Sequence, residues 1–185
     1  MRYVHIKLLL CAVLSFTILC FVSMSASADS AEKINRDAQK ALQKLYAESE
    51  SAKDLGEKAK AILVFPAITK GGFIVGGLYG EGALLKSGNV AAYYNTIAVS
   101  YGLQAGVQKY GYALFFMTDS AMKYLDKSSG WELGTGPTIV VVDKGASASL
   151  STTTAKSDVY AFFFSQKGLM AGIGLQGTKI TKINK

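Results

Sequence analysis

The glycines of this chain are gathered in its last two thirds, and this distribution limits the fold more than any other feature. All but one of the 19 glycines lie beyond Ile68, where they separate short runs of aromatic and β-branched residues. Such runs predict β-strands. A glycine within a strand lets a second backbone approach closely, or marks a bulge where the sheet bends. We therefore expect a strongly curved, mainly antiparallel sheet or a barrel-like structure.

Eight strands are predicted in this glycine-rich part. They cover residues 72–79, 82–85, 90–94, 98–108, 112–117, 138–142, 159–165 and 169–180. A helix at 119–127 is expected to interrupt them, because Thr118, Asp119 and Ser120 form an N-cap cluster. The glycine-rich turns have neither the P-loop spacing nor the dinucleotide-binding spacing, so bends in the sheet explain them better than phosphate binding.

The segment before Pro66 has a different composition: it is charged and rich in Ala, Lys and Glu. Its apolar positions recur at helical spacing; they are Ile34, Ala38, Ala41, Leu42 and Leu45. This pattern predicts a helix at 30–48, with Asp29 and Glu32 as a capping box, and a shorter helix at 52–61. The fold class is therefore α+β, with two N-terminal helices packed on the sheet. The helical part covers about 30–61 and the β-rich part about 68–180.

The first 28 residues have the layout of a secretory signal peptide. Arg2 and Lys7 precede an apolar run at 8–24 without a charge, and small residues at Ala26 and Ala28 fit cleavage after Ala28. An uncleaved anchor helix is the alternative, since the run reaches the lower limit of a membrane span. A lipoprotein is a third option, but both cysteines follow bulky residues. Cleavage would leave a mature chain of 29–185 in the periplasm or at the cell envelope.

Cleavage would also remove most of the reactive side chains. Both cysteines and the only histidine lie within the first 28 residues, so the mature chain would have no thiol, imidazole or disulfide. We expect one domain without catalytic residues, metal ligands or cofactors, because neither a nucleophile–base pair nor a zinc ligand set is present. The carboxylates are scattered along the chain. An enzyme is therefore not expected.

The mature chain is basic through lysine rather than arginine. Without Arg2 and Lys7, 18 Lys and Arg face 13 Asp and Glu, and Arg36 is the only arginine among them. Sequence-specific nucleic-acid recognition relies heavily on arginine. A lysine-rich surface favours diffuse attraction to anionic lipid, and we expect no nucleic-acid partner.

A candidate lipid-binding surface lies on the first helix. Lys33, Arg36, Lys40 and Lys44 follow one another at steps of three, four and four, so they share one helical face. A basic amphipathic helix is typical of membrane surfaces. The alternative is a solvated lysine stripe on a helix whose apolar face packs on the sheet. Lys58, Lys60 and Lys70 are secondary candidates.

Aromatic residues form a third group of candidates. They are the tyrosines at 93, 94, 101, 110 and 112 and the phenylalanine runs at 115–116 and 162–164. Neighbouring side chains in a strand point to opposite faces, so these runs predict a sheet that is apolar on both sides. Such a sheet has a two-sided core, encloses an apolar ligand, or presents a membrane-facing patch.

A series of motifs follows from about Lys58 in a fixed order. They are Ala61-Ile62-Leu63-Val64-Phe65-Pro66, Gly71-Gly72-Phe73, Gly80-Glu81-Gly82, Gly102-Leu103-Gln104-Ala105-Gly106 and Ser165-Gln166-Lys167-Gly168-Leu169-Met170-Ala171-Gly172. In these stretches the chain resembles the SYLF domain, also called the Ysc84 actin-binding domain. Met170 stands where that family usually has an aromatic residue.

The resemblance implies a lipid-binding module without catalytic residues. Eukaryotic members are similar to phosphoinositide-binding membrane adaptors, and some bind actin. Exported bacterial members look like periplasmic or envelope lipid binders, and actin is not expected as a natural partner in that compartment. Our first hypothesis is peripheral binding to an anionic phospholipid membrane. The alternatives are an envelope scaffold that binds a protein through the Tyr-rich 93–112 region, and a carrier of an enclosed apolar ligand.

Overall fold

Helices precede a sheet of eight strands. The computed structural model describes residues 29–72, 75–101, 106–127, 129–142, 157–167, 175 and 177–185. Within these ranges the helices are α1 (Ala31–Glu48), α2 (Glu50–Lys58) and α3 (Asp119–Met122). The strands are β1 (Ala61–Gly72), β2 (Val75–Lys86), β3 (Asn89–Tyr101), β4 (Gly106–Phe116), β5 (Trp131–Glu132), β6 (Ile139–Val142), β7 (Val159–Lys167) and β8 (Lys179–Ile183).

The strands form one strongly curled, half-barrel sheet. Their order is β5-β8-β3-β2-β1-β4-β7-β6. Every pair is antiparallel except β6 with β7, which run parallel. The predicted α+β class, with helices packed on a curved and mainly antiparallel sheet, is confirmed.

The central strand β1 starts earlier than the sequence predicted. We expected a helix to 61 and a first strand from 72, but α2 ends at Lys58 and β1 begins at Ala61. The run 61–65 is fully buried, so it shows no alternation that would separate a strand from a helix. Pro66 is tolerated within β1 because the register with β2 shifts between Val64 and Ala67, which is a bulge.

The glycines within β2 do not interrupt this strand. Two strands were predicted, at 72–79 and 82–85, and β2 joins both as one strand. At Gly82 a side chain would collide with the Val64 carbonyl oxygen and the Phe65 ring. The glycine therefore allows β1 and β2 to pack closely, as expected for a strand glycine.

Other boundaries also differ from the predictions. The strand expected at 98–108 is divided between the end of β3 and the start of β4, with 102–105 outside the described residues. Of the strand expected at 169–180, only Lys179 and Ile180 lie in a strand, β8, which continues to Ile183; 168–174 and 176 lie outside the described residues. The helix expected at 119–127 ends at Met122 and continues as turns, and the short β5 was not predicted.

The N-cap of α1 is Ser30 rather than Asp29. The Ser30 hydroxyl accepts a hydrogen bond from the Lys33 backbone N–H at 3.3 Å, so the predicted Asp29–Glu32 capping box is wrong. The Asp29 carboxylate instead pairs with the Lys33 ammonium at 2.9 Å.

Helices α1 and α2 cover one face of the sheet, which we call the helix-side face. The buried stripe of α1 packs there; it comprises Ile34, Ala38, Leu42 and Leu45. Its partners on the sheet include Val64, Ala83, Phe115 and Phe162. None of the described helices is long and apolar enough to cross a bilayer. The predicted signal peptide at 1–28 lies outside the described residues.

The opposite face, which we call the second face, has its own core. The segment that contains α3, Leu125, Trp131 and Leu133 covers it and packs against Phe116 and other buried residues. The Trp131 indole N–H donates to the Thr135 carbonyl oxygen at 2.9 Å. The phenylalanine runs point to both faces in turn, so the two-sided core interpretation is confirmed.

Candidate functional site

The predicted basic face of α1 is exposed, but much of its charge is paired. The Lys33 ammonium lies 2.9 Å from an Asp29 carboxylate oxygen and 3.2 Å from an Asp37 oxygen. The first of these hydrogen bonds is the main reason why the pKa of Lys33 is raised. Arg36 contacts Asp37 at 3.5 Å, and Lys44 contacts Glu48 at 3.7 Å. Lys40 is also exposed on this face.

The secondary candidates do not join this face into one site. Lys58 is exposed at the last residue of α2, and Lys60 pairs with Asp119 at 3.4 Å. Lys70 lies on β1, where it follows Ile68 on the second face. The structure therefore leaves Lys58, Lys60 and Lys70 as separate cations.

The excess positive charge lies on the strands rather than on the helices. Helices α1 and α2 together carry six basic and six acidic side chains, so their net charge is zero. The eight strands contain six lysines and two glutamates. One of the two glutamates, Glu81, is paired with Lys185. Nonspecific attraction of an anionic surface to this protein would therefore be directed mainly towards the sheet.

A row of exposed residues crosses the helix-side face where α1 does not cover it. The register pairs Lys109 with Thr69, Thr69 with Tyr79, Tyr79 with Ile97, and Ile97 with Lys179. Directly paired residues lie on the same face of a sheet, so this row runs across these five strands. The register continues it to Lys167 on β7 and to Glu132 on β5. Its two apolar members, Tyr79 and Ile97, are each 41% exposed, and they lie between Lys109 and Lys179.

A second row lies next to the first one. Val107 pairs with Gly71, Gly71 with Gly77, and Gly77 with Val99. Val107 and Val99 are 65% and 68% exposed, and the glycines between them present bare backbone. We call the two rows together the distal surface. Its side-chain-bearing members are Thr69, Tyr79, Ile97, Val99, Val107, Lys109 and Lys179.

Tyr79 is the most restrained side chain of the distal surface. Its hydroxyl donates to a Glu81 carboxylate oxygen at 2.6 Å. Burial and this hydrogen bond raise the pKa of Tyr79 to about 12, so the tyrosine stays a neutral donor at physiological pH. Burial alone would raise the pKa of Glu81, but its hydrogen bonds from Lys185 and Tyr79 outweigh that effect and lower it.

The sequence did not single out the distal surface. Its members come from five strands, and only the register brings Lys109 and Lys179 into one row. One signal was available: between Glu57 and Asp119 the chain has a single acidic residue, Glu81.

Three tyrosines of the Tyr-rich 93–112 region are not exposed, whereas Ile97, Val99 and Val107 of the same region lie on the distal surface. Tyr94, Tyr110 and Tyr112 are buried in the core of the second face. The Tyr112 hydroxyl and the Thr96 hydroxyl are 2.8 Å apart in a buried hydrogen bond. Burial raises the pKa of Tyr112 far above its ordinary value. The Tyr112 hydroxyl is therefore satisfied within the core.

An open groove of about 760 Å³ lies beside the C-terminal end of α1. Leu45, Val142 and Phe162 are among its lining residues, with Lys44 and Glu48 at its helix side. This volume is in the range of small-ligand sites. In the described part of the chain, no three His, Cys, Asp or Glu side chains come together as a metal site.

Comparison with known protein families gives a match. The model of the family described as Ysc84, Las17-binding protein actin regulator, matches residues 97–185. The matched region runs from the distal part of β3 to the end of the chain and includes Ile97, Val99, Val107, Lys109 and Lys179. No curated protein matches the chain.

Proposed function

Through residues 97–185 this chain belongs to the Ysc84 (SYLF) family, and on that premise we propose that it is a non-enzymatic protein that binds anionic phospholipid membranes peripherally. Its place would be the periplasm or the cell envelope, after removal of residues 1–28. The observation that carries the proposal is the distal surface, where exposed apolar side chains lie between lysines.

The distal surface has the composition that a lipid headgroup layer favours. Lys109 and Lys179 would attract anionic headgroups, and each cation near such a surface adds about 1 kcal/mol. Val99 and Val107 would move from water into the boundary of the acyl chains. This transfer stabilises the bound state by about 25 cal/mol per Å² of apolar surface removed from water. Tyr79 has an apolar ring and a polar end, which is the property that places tyrosine at membrane–water interfaces.

The basic face of α1 is the competing surface for the same function. Its cations are exposed, but Lys33, Arg36 and Lys44 have carboxylates within 4 Å. Exposed ion pairs of this kind are weak, so these cations could exchange their carboxylate partners for anionic headgroups with little loss of free energy. Variants on the two surfaces therefore have to be compared directly.

Co-sedimentation of the exported protein with vesicles tests the proposal. We expect binding to vesicles that contain phosphatidylglycerol, and a large loss of binding between low and high salt because salt screens exposed charges. Neutral phosphatidylcholine vesicles should bind much less. Equal binding to both kinds of vesicle would overturn the electrostatic part, and no binding to either would overturn lipid binding.

Paired substitutions locate the surface. Lys109→Gln with Lys179→Gln removes two cations, worth about 2 kcal/mol or about 30-fold in partition coefficient. The matched control is Lys86→Gln with Lys123→Gln, two exposed lysines elsewhere, which makes the same change in net charge. A Lys40→Gln, Lys44→Gln pair reports on α1. If only the α1 pair weakens binding, the membrane contacts the helix and not the distal surface.

A protein partner is the second candidate function, and the family description favours it. That description names Las17 binding and actin regulation for the family. The exposed apolar rows would equally suit a protein contact. One partner recovered in stoichiometric amount by crosslinking in the envelope, together with no vesicle binding, would favour this function. Native mass spectrometry would test the third option, an apolar ligand held in the groove beside α1.

A further inference from the structure

The first described residue, Asp29, is fixed to the sheet by its backbone. Its N–H donates to the Glu81 Oε2 atom at 3.1 Å, and its carbonyl oxygen accepts from the Lys185 Nζ atom at 3.0 Å. Lys185 also lies 2.8 Å from the same Glu81 oxygen. A residue ahead of a helix N-cap normally needs no such anchoring, so these contacts require an explanation of their own.

Glu81 has a buried carboxylate, which needs charged or hydrogen-bonding partners. Its side chain is 6% exposed, and burying a carboxylate is costly unless it is paired and hydrogen-bonded. It accepts hydrogen bonds from Tyr79, Lys185 and the Asp29 N–H. Its register partner is Asn95, whose buried Oδ1 atom has no hydrogen-bond partner in the described part of the chain. The site is therefore rich in acceptors.

The peptide bond before Asp29 is the predicted cleavage site of the signal peptide. Hydrolysis there by an export protease would consume one water molecule, break the C–N bond and leave a carboxylate on Ala28. The amine left on Asp29 would take up a proton, since α-amino groups are mostly protonated below about pH 8. We propose that Glu81 is the binding site for this new α-ammonium group, so that removal of the leader completes the fold of the exported protein.

The chemistry of the site fits an ammonium group better than the peptide N–H. An amide offers one neutral donor, whereas an ammonium group offers three donors and a positive charge. Both donors form a charge-assisted hydrogen bond with the carboxylate, but only the ammonium group adds the attraction between two opposite full charges. The positive end of the α1 dipole would repel a free ammonium group at this point, and the Glu81 carboxylate counteracts that repulsion.

A one-residue insertion distinguishes binding of the ammonium group at Glu81 from binding of the amide N–H. The full precursor is exported with one glycine added between Ala28 and Asp29, and intact mass establishes where each mature chain begins. The added residue moves the ammonium group by about 3.8 Å and leaves an amide N–H on Asp29. We expect the Tm to fall by roughly 4 to 8 °C in a chain of this length, because the Glu81 carboxylate exchanges a positively charged partner for a neutral amide donor.

Glu81→Gln supplies the control for this insertion. In that background the inserted glycine should change the Tm by less than about 1 °C, because the carboxylate that it acts on is absent. An insertion that leaves the Tm of the Glu81 protein unchanged would overturn the proposal, even if Glu81→Gln itself is destabilising. A mature chain that does not begin at Asp29 would also overturn the proposal, because the proposal requires the α-amine to be on Asp29.

A labelling measurement keeps the proposal testable if Glu81→Gln is not recovered. Only the unprotonated amine reacts with an acylating reagent, and a carboxylate holds the amine protonated. The α-amine of the exported protein should react about tenfold more slowly at neutral pH than that of the inserted-glycine variant. Equal rates would contradict binding at Glu81. None of these outcomes depends on whether the protein binds lipid.

Discussion

At the scale of single residues, Glu81 has the most consequences for this molecule. It is the one acidic residue between Glu57 and Asp119, and its side chain faces the start of α1. Its pKa is lowered by Lys185 and Tyr79 against the effect of burial. Through Tyr79 the same carboxylate also orients one member of the distal surface. The Glu81–Lys185 ion pair and the candidate membrane surface are therefore linked through the hydrogen bond of the Tyr79 hydroxyl.

The lowered pKa of Glu81 predicts a pH dependence of stability. A carboxyl whose pKa is lower in the folded state stabilises the fold above its ordinary value near 4.5, and this contribution is lost as the pH falls through the folded-state pKa. We expect wild type to exceed Glu81→Gln in free energy of unfolding at about pH 7, and the difference to shrink towards about pH 3. Urea unfolding at several pH values measures it. A difference that stays constant with pH would show that Glu81 acts through packing alone.

At the scale of elements, α1 separates its functions between two faces. The buried stripe that contains Ile34 and Leu45 fixes the helix to the sheet. The basic face is exposed and partly paired with carboxylates of the same helix. Stability and any contact with a membrane therefore depend on different residues of this helix.

Two alanine substitutions on α1 test this separation. Ile34→Ala should lower the free energy of unfolding by about 3 kcal/mol, because Ile34 is buried against the sheet and its loss leaves a cavity. Lys40→Ala on the exposed face should change it by less than about 0.5 kcal/mol. Urea unfolding of both variants gives the comparison. Similar costs for the two would mean that the lysine face is itself packed.

At the scale of the whole molecule, one sheet serves two cores. Strands β1 and β4 contribute to both, since Leu63 and Phe116 face one core while Val64 and Phe115 face the other. A strand cannot leave one core without leaving the other. We therefore expect the described fold to unfold as one cooperative unit.

Two optical signals report on the two faces separately. Trp131 is the only tryptophan and lies in the second-face core, so its fluorescence follows that face. Circular dichroism at 222 nm follows mainly α1 and α2 on the other face. The two urea transitions should coincide in midpoint and slope. Separate transitions would show that the helices leave the sheet before the second-face core opens.

The sequence by itself determined the classes of structure, because these depend on near neighbours. The spacing of Ile34, Leu42 and Leu45 specified α1, and the glycine and β-branched texture specified a curved sheet behind the helices. The alternation of Phe115 and Phe116 predicted a core on both faces. Each of these signals lies within one turn of a helix or a few residues of a strand.

Only the tertiary structure decided what depends on pairing between distant segments. Pro66 belongs to a central strand because a bulge accommodates it, and no local pattern reveals a bulge. Lys109 and Lys179 are 70 residues apart, yet the strand order puts them in one row. Glu81 likewise meets Asp29 and Lys185 only in the folded chain. Strand order and register are set by long-range contacts, and a shift of one residue would move each of these side chains to the opposite face.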